Sequence, residues 1–368
     1  MFVDNFSEIR FKKGKVLVLN KSLNRLDSVK RLVFDCDGVI VDTRNSYDSS
    51  IIEVLSYISK PLTGEPLIDQ GQIGRLKATG LYNNEWDTVY ALTIFVFSQL
   101  SKESAKSVLS WLKFGKSIKK IEEIKKGSFQ SSFGSFIERL KKDPIDDAEE
   151  YARSMCTSNE TLNEFEQVIH ELGSPLNPSK SLLVKLFDSI YYGNHMYRTV
   201  YGSEPLLKKK KGLIENEQVV VSKKSLENLG MKINLPFLML TGRSRIGVEH
   251  VLNALAEYFD FNASIFIEDI VRYDNKKAIP MKKPSPLPLL NLAGNSMTLY
   301  VGDSAEDIMM ANFAKKSSAE ILFAGITGLK EDPESVEKFF MEYDADLIVK
   351  SVDELAELYT RKIHGDGR

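Results

Sequence analysis

The sequence predicts an α/β protein: a parallel, Rossmann-like sheet, interrupted after its first strand by a large helical insertion. Three observations predict it. From about residue 235 onward, short apolar runs alternate with helical patterns. A run of the same kind, "RLVFD" at 31–35, stands far upstream of them. The stretch between, roughly 44–211, repeats apolar residues every three or four positions, as helices do. Short uninterrupted apolar runs that alternate with helices are the mark of a parallel sheet buried on both faces.

Taken in order, "KVLVLN" at 15–20 reads as an added strand on the edge of the core, and "RLVFD" as a central strand. The insertion offers helices at "SSIIEVLSYISK", "NEWDTVYALTIFVFSQLSKESAKSVLSWLK", "SIKKIEEIKK", "SFGSFIERLKK", "DDAEEYARSM", "LNEFEQVIHELG" and "KSLLVKLFDSIYYG". It closes on a lysine run, Lys208 to Lys211, expected to face solvent. Beyond it come strand candidates "PFLMLT" (236–241), "SIFIED" (264–269), "TLYVGD" (298–303), "EILFAG" (320–325) and "DLIVK" (346–350), separated by helical stretches. The expected division is therefore a core of 1–43 and 212–368 around an inserted helical domain of 44–211.

Composition narrows the function. Across 368 residues, 49 Lys and Arg oppose 51 Asp and Glu, for a net charge of -2. That balance leaves no electrostatic footprint for nucleic acid or for an anionic membrane. No apolar run approaches the roughly 20 residues that span a bilayer. The N-terminus is mixed in charge and lacks the apolar middle of a secretory signal. Two cysteines, Cys36 and Cys156, make neither a metal spacing nor a disulfide framework. A cytoplasmic protein is expected, and the sequence is silent on its oligomeric state.

The chemistry lies where strands end. In doubly wound sheets, ligands bind at the carboxyl ends of the strands. There the sequence puts Asp35 and Asp37, Thr241-Gly242-Arg243, and Gly302-Asp303 with Asp307 one helical turn on, while Lys282 and Lys283 precede Pro284. Clustered carboxylates repel by about 4 kcal/mol per pair at an effective dielectric near 20, so they take up protons or a cation. Oxygen ligands alone suit a hard divalent ion, and Mg²⁺ is usual when a phosphate completes the shell. A carboxylate can then attack a phosphate, with a lysine offsetting charge and a second aspartate moving the proton.

The stretches "VFDCDGVIVDT", "LMLTGR", "KKPSP" and "LYVGDSAEDIMMA" resemble, in order, the four motifs of the haloacid dehalogenase (HAD) superfamily of hydrolases. The resemblance covers about 30–43 and 235–330. An insertion just after the first motif is similar to the helical-cap branch that includes phosphoglycolate phosphatase and β-phosphoglucomutase. "GLYNNEWD" further resembles a stretch of an uncharacterised subfamily regarded as phosphatases. The resemblance implies a HAD-like fold with a helical cap. It implies Asp35 as nucleophile, and Asp37 as general acid/base with its carbonyl on the metal. Thr241 would donate to the phosphoryl group beside Gly242, Lys283 would be the neutralising cation, and Asp303 a Mg²⁺ ligand, with Asp307 a ligand or a partner of one. Dehalogenating members lack the second aspartate that this chain keeps, which favours phosphate esters.

Simpler readings stand beside these. Asp42 is expected to cap the helix that opens the insertion, and Cys36 to pack. Thr241 alone would read as a helix cap, and Arg243 as structural. In the insertion Asn83, Asn84 and Trp86 either cap a helix or, with Arg44 and Tyr47, line a substrate cleft. The expected activity is that of a Mg²⁺-dependent phosphatase of a small phosphorylated metabolite. A phosphosugar mutase, or an inactive binding protein of the same fold, are the alternatives.

Overall fold

The computed structural model describes residues 5–11, 14–63, 66–77, 79, 81–82, 84–114, 126–274 and 281–363. They form two compact units: Met1–Thr43 with Glu217–Arg368, and Arg44–Asn216.

The first unit is built on a seven-stranded sheet. Its strands are β1 (Phe6–Arg10), β2 (Lys15–Leu19), β3 (Arg31–Phe34), β6 (Leu238–Met239), β7 (Thr298–Gly302), β8 (Ile321–Ile326) and β9 (Leu347–Val349), in the order β1-β2-β9-β8-β7-β3-β6. β9, β8, β7, β3 and β6 run parallel, and the hairpin β1–β2 adds antiparallel to β9. Two short strands, β4 (Val41–Asp42) and β5 (Gln218–Val219), pair separately where the chain leaves and re-enters this unit.

Alternation along each strand sorts side chains to the two faces. Leu32, Phe34, Leu299, Val301, Leu322 and Ala324 pack into one core, while Val33, Tyr300, Ile321 and Phe323 pack into another. Both faces are thus buried, which is why these strands read as continuous apolar runs. β3 lies between β7 and β6, one place in from the edge of the order. The expected strand at 264–269 is instead one bridging residue, Ile265 beside Leu240, and the helix Ile267–Asp274 follows at once. Phe266 with Glu268 and Asp269 accounts for this: acids in a first helical turn favour a helix start. Asp42 does not cap a helix; it sits in β4 opposite Gln218, and the next helix begins at Tyr47.

The second unit is helical, with helices Tyr47–Thr63, Gln70–Lys77, Glu85–Ser98, Lys102–Phe114, Lys126–Arg139, Asp146–Ser154, Asn159–Leu172 and Leu182–Tyr201 among its described residues. The expected helix at 117–126 falls almost wholly outside the described residues, and Gln70–Lys77 had no clear apolar period to announce it. Phe95 meets Phe129, Phe133 and Phe136 at ring distances of 5.0, 5.3 and 4.9 Å, an aromatic centre joining two of these helices. No helix among the described residues is long and apolar enough to cross a membrane.

Phe34, the last residue of β3, meets Phe237 and Phe259 edge-on at 5.6 and 6.0 Å and is wholly buried. Deleting such a ring removes its transfer energy and leaves a cavity, a cost of about 3–5 kcal/mol. Phe34→Ala is expected to lose that much stability in chemical denaturation, more than any exposed substitution on the helix Val352–Ile363.

Candidate active site

The site grows from the pairing of three parallel strands. Phe34 stands opposite Val301 on one side and Met239 on the other. The Asp35 amide donates to the Val301 carbonyl at 2.8 Å, and the Leu240 amide to the Phe34 carbonyl at 2.9 Å. The residues that follow, Asp35, Thr241 and Asp303, therefore emerge at one edge of the sheet. Asp35, Asp303 and Asp307 each bring a carboxylate oxygen to within 4.8 Å of the others'.

After Asp35 the chain turns sharply, with the Ile40 and Val41 amides donating to the Cys36 carbonyl. Gly38 takes φ +73 in this turn, and a Cβ there would stand 1.9 Å from Asp303 Oδ2. Only glycine satisfies both conditions. The turn is thereby pressed against Asp303, which brings the backbone after Asp35 to the carboxylate cluster. Cys36 is buried, and burial pushes its thiol well above the usual range, as befits a packing residue.

Lys283 ties the cluster together. Its Nζ lies 2.7 Å from Asp35 Oδ2 and 2.8 Å from Asp307 Oδ1. Burial opposes its charge, but Asp307 and Asp35 hold it firmly protonated. Lys282 is exposed, and Lys276 and Lys277, two further lysines a few residues upstream, lie outside the described residues.

Asp307 is otherwise engaged. Oδ1 accepts from the Tyr300 hydroxyl at 2.5 Å, while Oδ2 accepts from the Asp303 and Ser304 amides at 3.1 Å and the Ser304 hydroxyl at 2.7 Å. It is the N3 residue of the helix Ala305–Lys316, in a capping box with Ser304. Gly302 makes room, since a Cβ there would meet the Asp307 Cβ at 2.5 Å. Burial works against the Asp307 charge, but Lys283, Tyr300 and Ser304 more than offset it, leaving its pKa below the ordinary range. With its oxygens so occupied, Asp307 is placed to anchor Lys283.

Asp35 and Asp303 go the other way. Burial, with Asp307 and Asp303 adding to it against Lys283, pushes Asp35 up to about 7. Burial also raises Asp303, against the pull of Lys330, whose Nζ stands 2.5 Å from Asp303 Oδ2. Asp35 Oδ1 accepts from the Cys36 amide at 2.7 Å. Two desolvated carboxylates with oxygen donors only, and pKa values raised by burial, suit a hard divalent cation.

Thr241 is buried, and its hydroxyl oxygen accepts from the Arg243 amide at 3.2 Å. The cap of the helix Arg245–Leu252 is Ser244, not Thr241. Gly242 is exposed, with open space where a Cβ would be. Asp37 meets Arg243, whose Nε lies 2.6 Å from Asp37 Oδ1, and Arg243 Nη2 lies 2.6 Å from Glu217 Oε1. Sequence reading found neither Glu217 nor Lys330. No local pattern marks them, because each reaches the site only through the fold.

The remaining expected residues belong to the second unit. Asn84 caps the helix Glu85–Ser98, its side chain accepting from the Trp86 and Asp87 amides at 3.0 and 3.1 Å. The Trp86 indole donates to buried Asp188 at 3.2 Å, and burial pushes that carboxyl up to about 7. Tyr47 stacks on Tyr191 at 5.0 Å, and Arg44 is exposed. Asn83 lies outside the described residues.

No protein-family model matches the chain, and neither does any curated protein sequence. Solved structures do. Northeast Structural Genomics Consortium target ZR25 is similar at 17% identity and a TM-score of 0.60, with 91% of this chain and 99% of that one covered. Phosphatase Tt82 from Thermococcus thioreducens is similar at 18% identity and a TM-score of 0.50, with 84% and 98% covered. At such identities the likeness is one of fold. Motifs at the ends of the adjacent parallel strands β3, β6 and β7, with a helical unit inserted behind the first, are set in a fold that this chain shares with those two structures.

Proposed function

We propose that the protein is a Mg²⁺-dependent phosphatase that hydrolyses a small phosphorylated metabolite through an aspartyl-phosphate on Asp35. The observation that carries this reading is the bridge of Lys283 between Asp35 and Asp307, set beside Asp303 at the carboxyl edge of the sheet.

Asp35 and Asp303, with the Asp37 carbonyl, would hold the divalent ion, which when bound supplies charge that draws the phosphate in and keeps Asp35 ionised. The rest is the work of side chains. Thr241 donates its hydroxyl to a phosphoryl oxygen, open space beside Gly242 admits the group, and Lys283 offsets the negative charge that gathers on it. An Asp35 carboxylate oxygen attacks phosphorus, the ester P–O bond breaks, and Asp37 gives its proton to the departing oxygen. Asp37, now a carboxylate, takes a proton from water as that water attacks phosphorus. The acyl-phosphate bond then breaks, and Asp35 and inorganic phosphate are released. A mutase on the same core would return an isomerised sugar phosphate, so release of free phosphate separates the two outcomes.

Asp35→Asn keeps size and shape but removes the nucleophile. Turnover of any phosphate ester that the wild-type protein cleaves in the presence of Mg²⁺ is expected to fall by at least about 10³-fold, with the circular dichroism spectrum unchanged. Continued turnover at the wild-type rate would remove Asp35 from the chemistry.

The raised pKa of Asp35 has a thermal consequence. A carboxyl whose folded pKa exceeds its unfolded value binds its proton more tightly in the folded state. Its contribution is therefore greatest below the unfolded value, 3.8, and is lost as pH rises to about 7. Asp307, lowered instead, is ionised throughout that window. Metal-free protein is expected to lose Tm between pH 5.5 and 8, and Mg²⁺ to restore more of it at pH 8 than at pH 5.5, as read by differential scanning fluorimetry.

Lys330 occupies Asp303 Oδ2 at 2.5 Å and so competes with any cation there. Lys330→Gln is expected to tighten Mg²⁺ binding about tenfold by isothermal titration, the equivalent of ~1.4 kcal/mol. Weaker binding would show that the ammonium supports the metal site.

A further inference from the structure

Asp37 has two tasks in the reaction: it must reach the leaving oxygen, and then water. Both demand that its carboxyl be held still, since general acid catalysis depends first on geometry. Asp37 is the more accessible of the motif's two aspartates, its side chain 31% exposed against 11% for Asp35. The pieces that hold it are nearly closed to solvent.

Arg243 is 2% exposed and Glu217 0%. The guanidinium spans them, with Nε on Asp37 Oδ1 and Nη2 on Glu217 Oε1, each at 2.6 Å. The contact with Glu217 is a hydrogen bond and that with Asp37 an ion pair, so a planar guanidinium held by Glu217 keeps its charge in one place beside Asp37, which an ammonium on a flexible stem would not do. Burying such charges is costly, and an apolar trio of equal volume is often no less stable. Stability alone does not call for them here.

Their place in the chain is equally telling. Glu217 is the first residue of the first unit after the chain re-enters it, and it runs directly into β5. β5 pairs with β4, the continuation of the very turn that carries Asp37: Asp42 faces Gln218, Val41 faces Val219, and the Val220 amide donates to the Ile40 carbonyl at 2.9 Å. Asp37 in turn bridges to Val41. The returning strand thus holds the turn twice, by its backbone and through Glu217 and Arg243.

We propose that Arg243 and Glu217 are positioning residues for Asp37, a relay by which the strand returning from the insertion fixes the aim of the general acid. The assignment rests on the phosphatase reading above.

The test uses kcat/KM, which reports the steps up to formation of the aspartyl-phosphate, on 4-nitrophenyl, phenyl and benzyl phosphate in Mg²⁺. A good leaving group departs without a proton, whereas a poor one needs the acid. For Glu217→Gln the expected loss is less than about tenfold on 4-nitrophenyl phosphate and about 10²–10³-fold on benzyl phosphate. Arg243→Lys, which keeps the charge but loses the fork, should show the same graded loss. If the single variants do not fold, the double replacement of Glu217→Leu with Arg243→Met removes both members of the buried Arg243–Glu217 pair together. It carries the same expectation. An equal loss across the three esters, or none, overturns the assignment while leaving the phosphatase reading intact. A folded wild-type protein inert to all three would overturn that reading, and this assignment with it.

Discussion

Everything at the site answers to one constraint: too much negative charge emerges from adjacent parallel strands at a place that water scarcely reaches. β3 and β7 are neighbours in register, so the residues following Phe34 and Val301 have no means of avoiding one another. Asp35, Asp37, Glu217, Asp303 and Asp307 meet the cationic side chains of Arg243, Lys283 and Lys330. The pKa shifts divide the carboxylates of the cluster. Asp307, with Lys283 and a set of hydrogen-bond donors, is depressed, while Asp35 and Asp303, less fully served, are raised.

This division also separates roles among groups of one chemical type. Asp307 already accepts from Tyr300, Ser304, two amides and a lysine, and these contacts hold it against Lys283. Asp35 accepts one amide bond and one ammonium, and it retains lone pairs that can do chemistry. The same contrast separates the lysines. Lys283 is pinned between two carboxylates, whereas Lys330, on the loop after β8, is more exposed and contacts Asp303 alone among the pairs of this cluster.

Much of this was legible in the sequence because a parallel sheet writes itself in short apolar runs, and the residues just after each run are where chemistry collects. Asp35, Thr241 and Asp303 could be placed at one edge from that pattern alone. What stayed hidden depends on partners distant in sequence. "SIFIED" has the composition of a strand, yet it contributes one bridge before a helix takes over, and periodicity in six residues cannot distinguish the two. Asp42 looked like a cap because nothing local says that β5 will return to pair with it. In the helical unit, "NNEWD" could be read as a capping turn or as a substrate contact. The structure shows Asn84 capping and the Trp86 indole bonded to Asp188, a residue remote from it in the chain.

Glu217 shows why such residues escape a reading by motif. It lies in an undistinguished stretch, and by composition alone a glutamate there would be assigned to solvent. The fold buries its side chain completely, and a buried carboxylate must find a cation. The cation it finds, Arg243, is fixed by the turn after β6, where Thr241 accepts from its amide and Ser244 starts the next helix. The other end of that guanidinium reaches Asp37. The inserted unit is connected to the core at two points of the chain, after Thr43 and before Glu217, and both are within a few residues of this relay. In this chain the place where the second unit enters and the surroundings of Asp37 share the same pair of short strands.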